Sequence, residues 1–413
     1  MERFTGLIGI ALILGIAYLF STNRKAINYR TVGMGLLMQL AFAVFILKTP
    51  VGQAIFGWLG AAVTKVLTFA DKGGEFVFGD LSNPAALGKV LPNGFIFFFK
   101  IIPTIIFVAV LVNVLYHIGV MQLIVRGMAW VMYRVMRVSG AEALSNAASA
   151  FVGQVEAQIM VKPYLKNMTN SELMASMTGS FACIAGGVMA TYISFGVPAE
   201  YLIAASIMAA PGALAISKIM HPETQESETQ GTVKLNVEKD HVNLVDSIAA
   251  GCADGLRIGL NVIAMLIGFL ALISFLDYGL GKIGWLFGHS DLSFKLILGY
   301  LFSGFAWAMG VPANEMRQAG SLMGTKLVVN EFVAYLDLTA LQKTAGALSP
   351  KTMAIVSFAL CGFANFSSVA IQIGGISALE PTRRHDLAKL AFKALMAGTL
   401  ASYLSATLAG ILF

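Results

Sequence analysis

The chain has 413 residues, of which 57% are hydrophobic and only 12% charged, with a mean hydropathy of +0.77; soluble domains carry about twice that share of charge. This excludes an ordinary soluble domain and identifies an integral membrane protein. The formal charge of +6 includes no basic run interleaved with aromatics, so it reads as loop charge that sets topology, not as a nucleic-acid surface.

Residues 5–20 are apolar and are followed by Ser21-Thr22-Asn23-Arg24-Lys25 with no small-residue cleavage site, which fits a retained first span and not a signal peptide. A bilayer core needs about 20 apolar residues per helix. On that criterion spans fall at 4–21, 30–48, 95–119, 172–217, 247–277, 294–311, 350–377 and 386–412, eight transmembrane helices in all. The 172–217 stretch is too long for one straight span, so it must tilt, break at Gly186-Gly187 or run on outside the bilayer. Residues 52–70 and 120–137 read as amphipathic helices lying along the interface. Residues 140–167 and 321–346 are rich in small residues and carry acids near their centres. Each reads as a re-entrant hairpin, because broken helix at membrane depth survives only where protein buries it or a cavity lines it.

Basic residues orient the array: Arg24, Lys25 and Arg30; Arg126, Arg134 and Arg137; Lys282 and Lys295; Arg383, Arg384, Lys389 and Lys393. With these eight spans all four clusters share one side. The positive-inside rule makes it the cytoplasm, with both termini outside. The polar loop near 218–246, with Glu223, Glu226, Glu228, Glu238, Asp240 and Asp246 against Lys218, Lys234 and Lys239, is then external. The first hairpin enters from the cytoplasm and the second from outside, so the halves form an inverted repeat, the pattern of secondary transporters.

Each hairpin reaches a tip with an acid, Gly153-Gln154-Val155-Glu156 in one and Val329-Asn330-Glu331-Phe332 in the other. A span with an interrupted centre follows each: Cys183-Ile184-Ala185-Gly186-Gly187-Val188, and Cys361-Gly362-Phe363-Ala364-Asn365-Phe366-Ser367-Ser368. Ionisable residues inside membrane segments cost about 2.5–3.5 kcal/mol on insertion scales and mark function, so Glu156 and Glu331 lead the candidates. The blander role of each is to cap its own broken helix. Gln154, Asn365 and Ser368 stand beside them, and with Phe363 or Phe366 they suit a neutral, hydroxyl-rich molecule with a flat apolar face. No histidine joins the acids, which argues against a metal cluster. Asp254 and Arg257 read as a self-neutralising helical pair, Thr169-Asn170-Ser171-Glu172 as a capping box, and His117 as a hydrogen-bonded interior residue. Gly279-Leu280-Gly281-Lys282-Ile283-Gly284 matches the dinucleotide fingerprint but follows no strand. Cys183, Cys252 and Cys361 form no spaced pair, so neither a disulfide framework nor a zinc site is expected.

The motifs Gly153-Gln154-Val155-Glu156-Ala157, Asn330-Glu331-Phe332-Val333-Ala334-Tyr335 and Cys361-Gly362-Phe363-Ala364-Asn365-Phe366-Ser367-Ser368 together resemble the concentrative nucleoside transporter family, in order and over nearly the whole chain. The resemblance implies a homotrimer in the bacterial inner membrane, each protomer an elevator-type symporter for nucleosides such as uridine, with a sodium or proton gradient as the drive. It implies no cofactor beyond the coupling ion. Carried over, Gly153, Gln154, Val155, Glu156 and Val188 would face the nucleobase; Glu331, Asn365 and Ser368 would hold the ribose, with Phe363 nearby. The family's sodium ligands fall on Ser149, Val152, Cys183 and Ile184, where a hydroxyl replaces an amide and a thiol replaces a hydroxyl, a poorer set for a hard cation. Val155 and Gln158 also depart from the pattern. The implied organisation is scaffold helices at 1–138, hairpin, span four and loop of the transport domain at 139–246, spans five and six at 247–320, second hairpin and span seven at 321–377, and span eight at 378–413. An intramembrane enzyme acting on a lipid-linked substrate is the reading from another class, lacking a nucleophile or metal set; a channel is third.

Overall fold

The computed structural model describes residues 2–87, 96–230, 242–289, 291–343 and 348–413, and among them every regular element is a helix. In chain order these are α1 (Glu2–Leu19), α2 (Tyr29–Lys48), α3 (Pro50–Phe78), the one-turn α4 (Pro84–Leu87), α5 (Phe97–His117) and α6 (Val120–Met136). The first hairpin is α7 (Gly140–Ser149), α8 (Glu156–Ile159) and α9 (Lys162–Leu165). Then come α10 (Asn170–Ala182), α11 (Gly186–Phe195), α12 (Ala199–Met220), α13 (Leu244–Leu286) and α14 (Phe294–Ala308). The second hairpin is α15 (Met316–Val328) and α16 (Glu331–Lys343), followed by α17 (Pro350–Leu360), α18 (Phe366–Leu379) and α19 (Arg384–Leu412). Polar residues start several of these helices, α2, α3, α7, α10, α13, α14, α17 and α18, by accepting from their first amides. Ser139 with Glu142 and Thr169 with Glu172 form full capping boxes, while Thr49 and Ser349 each precede a proline at the first turn.

Contacts fix which helix ends lie together. At the first end, Thr22 N donates to Met220 O (3.0 Å), Gly140 N to Thr229 O (3.0 Å), and Ser171 Oγ to His221 O (2.7 Å). Arg383 donates there to the carbonyls of Leu165, Lys166 and Met168. This end therefore holds the α1–α2 turn, both feet of the first hairpin, the end of α12 and the start of α19. At the second end Gly6 meets Ile411, the Phe97 ring lies 6.0 Å from Phe195, and Glu315 Oε2 accepts from Ser349 N (3.1 Å) and Oγ (2.9 Å). The second hairpin thus enters from the opposite end to the first, as the inverted repeat requires.

Eight crossings can be traced among the described residues: α1, α2, α5, broken α10–α11, α12, α13, broken α17–α18 and α19. The count matches expectation, but two members differ. The 172–217 stretch is two crossings: its first half breaks at 183–185, ahead of Gly186-Gly187, and the chain reverses at Gly196-Val197-Pro198. There Gly196 takes φ 105° and donates to Ile193 O (2.9 Å) while Val197 N donates to Tyr192 O (3.1 Å), a helix-ending pattern that glycine accommodates without strain. Conversely, α14 has only 15 residues, about 22 Å of helix against a core of about 30 Å, and packs along α15 where Gly320 meets Gly299 O and Ser303 N. Helix α3 is long and apolar enough to cross. Yet it starts beside the end of α2 and finishes where Phe78 packs 5.2 Å from Phe99 at the start of α5, so both its ends lie at the second end. Like α6 at the first, it runs along the bundle, as the amphipathic pattern anticipates.

The extra crossing moves the polar loop. Glu223 accepts from Thr169 Oγ1 (2.7 Å) and Glu228 from Asn167 Nδ2 (2.9 Å), so residues 221–230 sit at the same end as Arg24 and Arg383, not opposite them. Lys234, Glu238, Lys239 and Asp240 lie outside the described residues. The third basic cluster moves too. Helix α13 runs antiparallel to α5, with Gly251, Gly255 and Gly259 against Val110, Ile106 and Ile102, so Lys282 and Lys295 fall at the second end.

Helices α1 and α2 belong with the helices around the hairpins: Gly35 meets Ala215, Gly212 meets Gln39, and Gln39 Nε2 donates to Ser405 Oγ (2.9 Å). This packing sets α1 and α2 against α12 and α19. The glycine seam between α5 and α13 is testable. A Cβ on Gly255 would lie 2.5 Å from Ile106 Cα, while around Gly268 nothing lies within 4 Å. Overpacking costs about 1–3 kcal/mol, so Gly255→Leu should lower the melting temperature of the detergent-purified protein and Gly268→Leu should not; equal melting of the two would contradict the seam.

Candidate functional site

Two helix breaks cross at the centre of the bundle. Chain ends at a break leave carbonyls and amides without helical partners, and here each break satisfies the other. Phe363 N donates to Cys183 O (3.2 Å), and Gly186 N donates to Phe151 O in the first hairpin (3.0 Å). Gly362, at φ 128°, packs so close that a Cβ would stand 2.7 Å from Ala182 O. Ser402 Oγ of α19 sits between the breaks, 3.0 Å from Cys361 O and 3.4 Å from Ala182 O. The buried thiols of Cys183 and Cys361 share Ser206 as partner, at 3.6 Å each.

The hairpin tips meet these breaks. Glu331, only 3% exposed, accepts from Tyr192 Oη through Oε1 (3.0 Å) and from Asn365 Nδ2 through Oε2 (2.7 Å). Asn365 Oδ1 in turn caps α18 at Ser368 N (2.8 Å), and Gln154 Nε2 of the first hairpin reaches Ser368 Oγ (3.4 Å). A continuous polar chain therefore joins four of the expected residues across both hairpins. Gln154 Oε1 in this chain and Asn330 Nδ2 next to Glu331 are buried without a partner among the described residues, an acceptor and a donor of the kind that ligands complete. Phe363 is buried at the crossing, whereas Phe366 is exposed and packs 6.5 Å from Phe392.

The remaining expected residues face elsewhere. A cavity of about 1010 Å³ lies between the first hairpin and α5 with α13, lined by Val152, Gly153, Glu156 and Val188 at its inner part and by Lys166 and Glu380 at the first end. The Glu156 carboxylate is exposed in this cavity, folded over Gly153, and makes no hydrogen bond or ion pair among the described residues. Val155 turns away and packs on Gly375 of α18. Asp254 and Arg257 do not pair with each other; both line the cavity wall. His117 also lines it, with its Nδ1 buried and unpartnered rather than hydrogen-bonded.

Of the four positions of the expected sodium site, Ser149 and Val152 lie in the first hairpin and Cys183 and Ile184 at the break after α10. Ser149 Oγ donates to Ser145 O (2.8 Å) and lies 3.1 Å from Ser180 Oγ; Val152, Cys183 and Ile184 are also buried. The adjacent hub is Gln158, whose Nε2 donates to Ser180 Oγ (2.9 Å) and Ser145 Oγ (3.3 Å), and whose Oε1 accepts from Ser176 Oγ. Among the described residues no three His, Cys, Asp or Glu side chains group as a metal site. Reasoning from sequence missed Tyr192, whose only signal is a hydroxyl placed within an apolar half-helix, and the hub role of Gln158. The division between a closed half and an open half is measurable. In a Cys252→Ser background, Glu156→Cys should react with a soluble maleimide at least about tenfold faster than Asn330→Cys, since exposure governs thiol reactivity; equal rates would contradict it.

Three family models match in succession: "Na+ dependent nucleoside transporter N-terminus" over residues 8–81, "Nucleoside recognition" over 98–199, and "Na+ dependent nucleoside transporter C-terminus" over 201–410. Over its full length the chain is 44% identical to an uncharacterized transporter of Haemophilus influenzae, covering 98% of it. It is 38% identical to the putative nucleoside permease NupX of Escherichia coli, with 99% of each chain covered. It is also 38% identical to sodium/nucleoside cotransporter 1 of Mus musculus, spanning 64% of that longer protein. Among solved structures, CNTnw in an inward-facing substrate-bound state superposes with a TM-score of 0.95 at 43% identity, covering 100% of this chain and 98% of that one. A CNTnw variant in an outward-facing state also reaches 0.95. The chain belongs to the concentrative, Na+-dependent nucleoside transporter family, and it is a multi-pass membrane transporter, not an enzyme.

Proposed function

We propose that this protein is a secondary active symporter that imports nucleosides, uridine among them, down a cation gradient. The observation that carries the reading is the buried Glu331 carboxylate, held by Tyr192 and Asn365 beside the unpartnered polar atoms of Gln154 and Asn330. A carboxylate so fixed accepts hydroxyl hydrogens, which is what ribose offers, and bidentate or paired acceptance by an ionised oxygen is about twice as strong as a neutral bond. Gly153, Gln154, Val155, Glu156 and Val188 take the base side, with Val155 contributing through the packing of the tip. Phe363, Asn365 and Ser368 complete the ribose side.

The end carrying Arg24, Arg134 and Arg383 is the cytoplasmic one by the positive-inside rule. The termini are then external, the described loop at 221–230 is cytoplasmic, and the cavity beside Glu156 opens inward. Alternating access follows an elevator motion in which the hairpins, with α1, α2, α12 and α19, move against a frame of α5 and α13. The support is that the cavity lies between the first hairpin with the start of α11 and the α5–α13 pair. The protein is a homotrimer of the inner membrane, for which the exposed apolar residues of α13 from Ile267 to Trp285 supply surface.

Sodium at Ser149, Val152, Cys183 and Ile184 is the coupling ion of the family pattern. A proton is the second reading, and a specific observation favours it: the Ser149 hydroxyl is engaged by Ser145 and Ser180, and Gln158 turns amide hydrogens toward the same hydroxyls. Uptake of labelled uridine into proteoliposomes under sodium and proton gradients imposed separately tests both. Accumulation is expected under one gradient, which names the ion; no accumulation under either would sink the function. Glu331→Gln should abolish uptake in a folded protein, and wild-type uptake would remove Glu331 from the site. Tyr192→Phe should weaken uridine binding by about tenfold, because a hydrogen bond to a charged group contributes about 1.5 kcal/mol or more; unchanged affinity by calorimetry would exclude Tyr192 from holding the carboxylate.

A further inference from the structure

Lys326 of α15 is fully buried within the second hairpin, and neither the polar chain at Glu331 nor the cavity uses it. Its Nζ donates to Ala359 O (2.9 Å), one residue before the end of α17. Among the described residues it has no other hydrogen-bond partner and no carboxylate within ion-pair distance. An ammonium buried this way is costly unless something negative receives it. What receives it is the carbonyl end of a half-helix, the negative pole of the helix dipole. The neighbouring carbonyls of that end are already engaged: Ser357 O by Tyr335 Oη (2.8 Å), Phe358 O by Cys361 N (3.2 Å) and Cys361 O by Ser402 Oγ.

The first repeat makes the corresponding contact with neutral groups. There the first arm of the hairpin reaches the end of α10 through Ser149 and Ser180, at the place proposed for the coupling ion. A charged side chain thus stands in the second repeat where the first has only hydroxyls and carbonyls.

We propose that Lys326 is a resident cation: its ammonium does permanently in the second repeat what an exchangeable ion does in the first, fixing the hairpin to the broken span and supplying positive charge to the half of the site that holds Glu331. This rests on the cation-coupled reading above. It has a specific consequence, that only one cation is exchanged per nucleoside, because the second is covalently part of the chain.

The native protein tests this without mutation. Reversal potentials of uridine-driven charge movement in proteoliposomes should give one charge per uridine, and a ratio of two would overturn the proposal while leaving nucleoside symport intact. No uptake under any gradient would instead defeat the functional reading. Lys326→Met, which keeps length and removes charge, should elute as native but bind uridine at least about tenfold more weakly at saturating cation, since the loss is of a charge-assisted contact. Lys326→Arg should stay within about threefold of native binding, as the charge is kept. Met and Arg variants that bind alike would reduce Lys326 to a packing residue and overturn its role as a cation. If the Met variant does not fold, the charge ratio of the native protein decides.

Discussion

Everything central to this protein depends on how backbone is satisfied where helices stop in the middle of a membrane. Lipid offers no hydrogen bonds, so each orphaned amide and carbonyl must find protein. The solution is reciprocal: the break after α10 and the break after α17 are laid across each other, joined by Phe363 N to Cys183 O and straddled by Ser402. Gly362 is required there because a side chain would collide with Ala182 O. Hairpin tips and α18's cap then converge on one point, and the polar residues needed to close the breaks are the same residues that present a binding surface.

The two halves solve the problem with different chemistry. Around the second hairpin the buried carboxylate of Glu331 has one protein donor on each oxygen, Tyr192 and Asn365, so it is held in one geometry with acceptor capacity left over. Around the first, the ladder of Ser145, Ser149, Ser176, Ser180 and Gln158 is neutral, and the acid at the tip, Glu156, faces the cavity with no hydrogen bond or ion pair among the described residues. Satisfied polar networks rigidify while unpaired groups leave room for a ligand or a second arrangement. An inverted repeat thus carries one stiff half and one responsive half, an asymmetry that suits a transporter whose cavity reaches only one side at a time.

Much of this was legible in the sequence, for identifiable reasons. Hairpins were visible because small residues and a mid-membrane acid cannot be explained by lipid-facing helix, and Glu331 and Asn365 stood out as polar groups in costly positions. Capping boxes at Ser139 and Thr169 are local in sequence and therefore readable. The division of 172–217 was not read because hydropathy is continuous through it; the turn is written only in Gly196-Val197-Pro198, a helix stop of three residues with no polar loop. Treating α14 as a span offset that error, so Gly6 and Ile411 still lie at the end opposite Arg24 and Arg383, while residues 221–230 and Lys282 with Lys295 changed ends. Tyr192 was invisible for a different reason: its partner is 139 positions away, and no local pattern marks a tertiary hydrogen bond.

Glycine shows how composition becomes mechanism. Where Gly251, Gly255 and Gly259 line one face of α13, they let it lie backbone to backbone on α5, giving a pair of helices that can act as a rigid unit. Membrane helices gain from such close approach because apolar burial alone does not distinguish protein from lipid. Gly35 and Gly212 do the same inside the other group, joining α2 to α12. Between the groups lies the cavity, walled by Asp254 and Arg257 on one side and Glu156 on the other. Tight glycine seams lie within the α5–α13 pair and within the α2–α12 pair, and the cavity lies between the α5–α13 pair and the first hairpin. The distribution of glycine therefore marks which helices are held in closest contact.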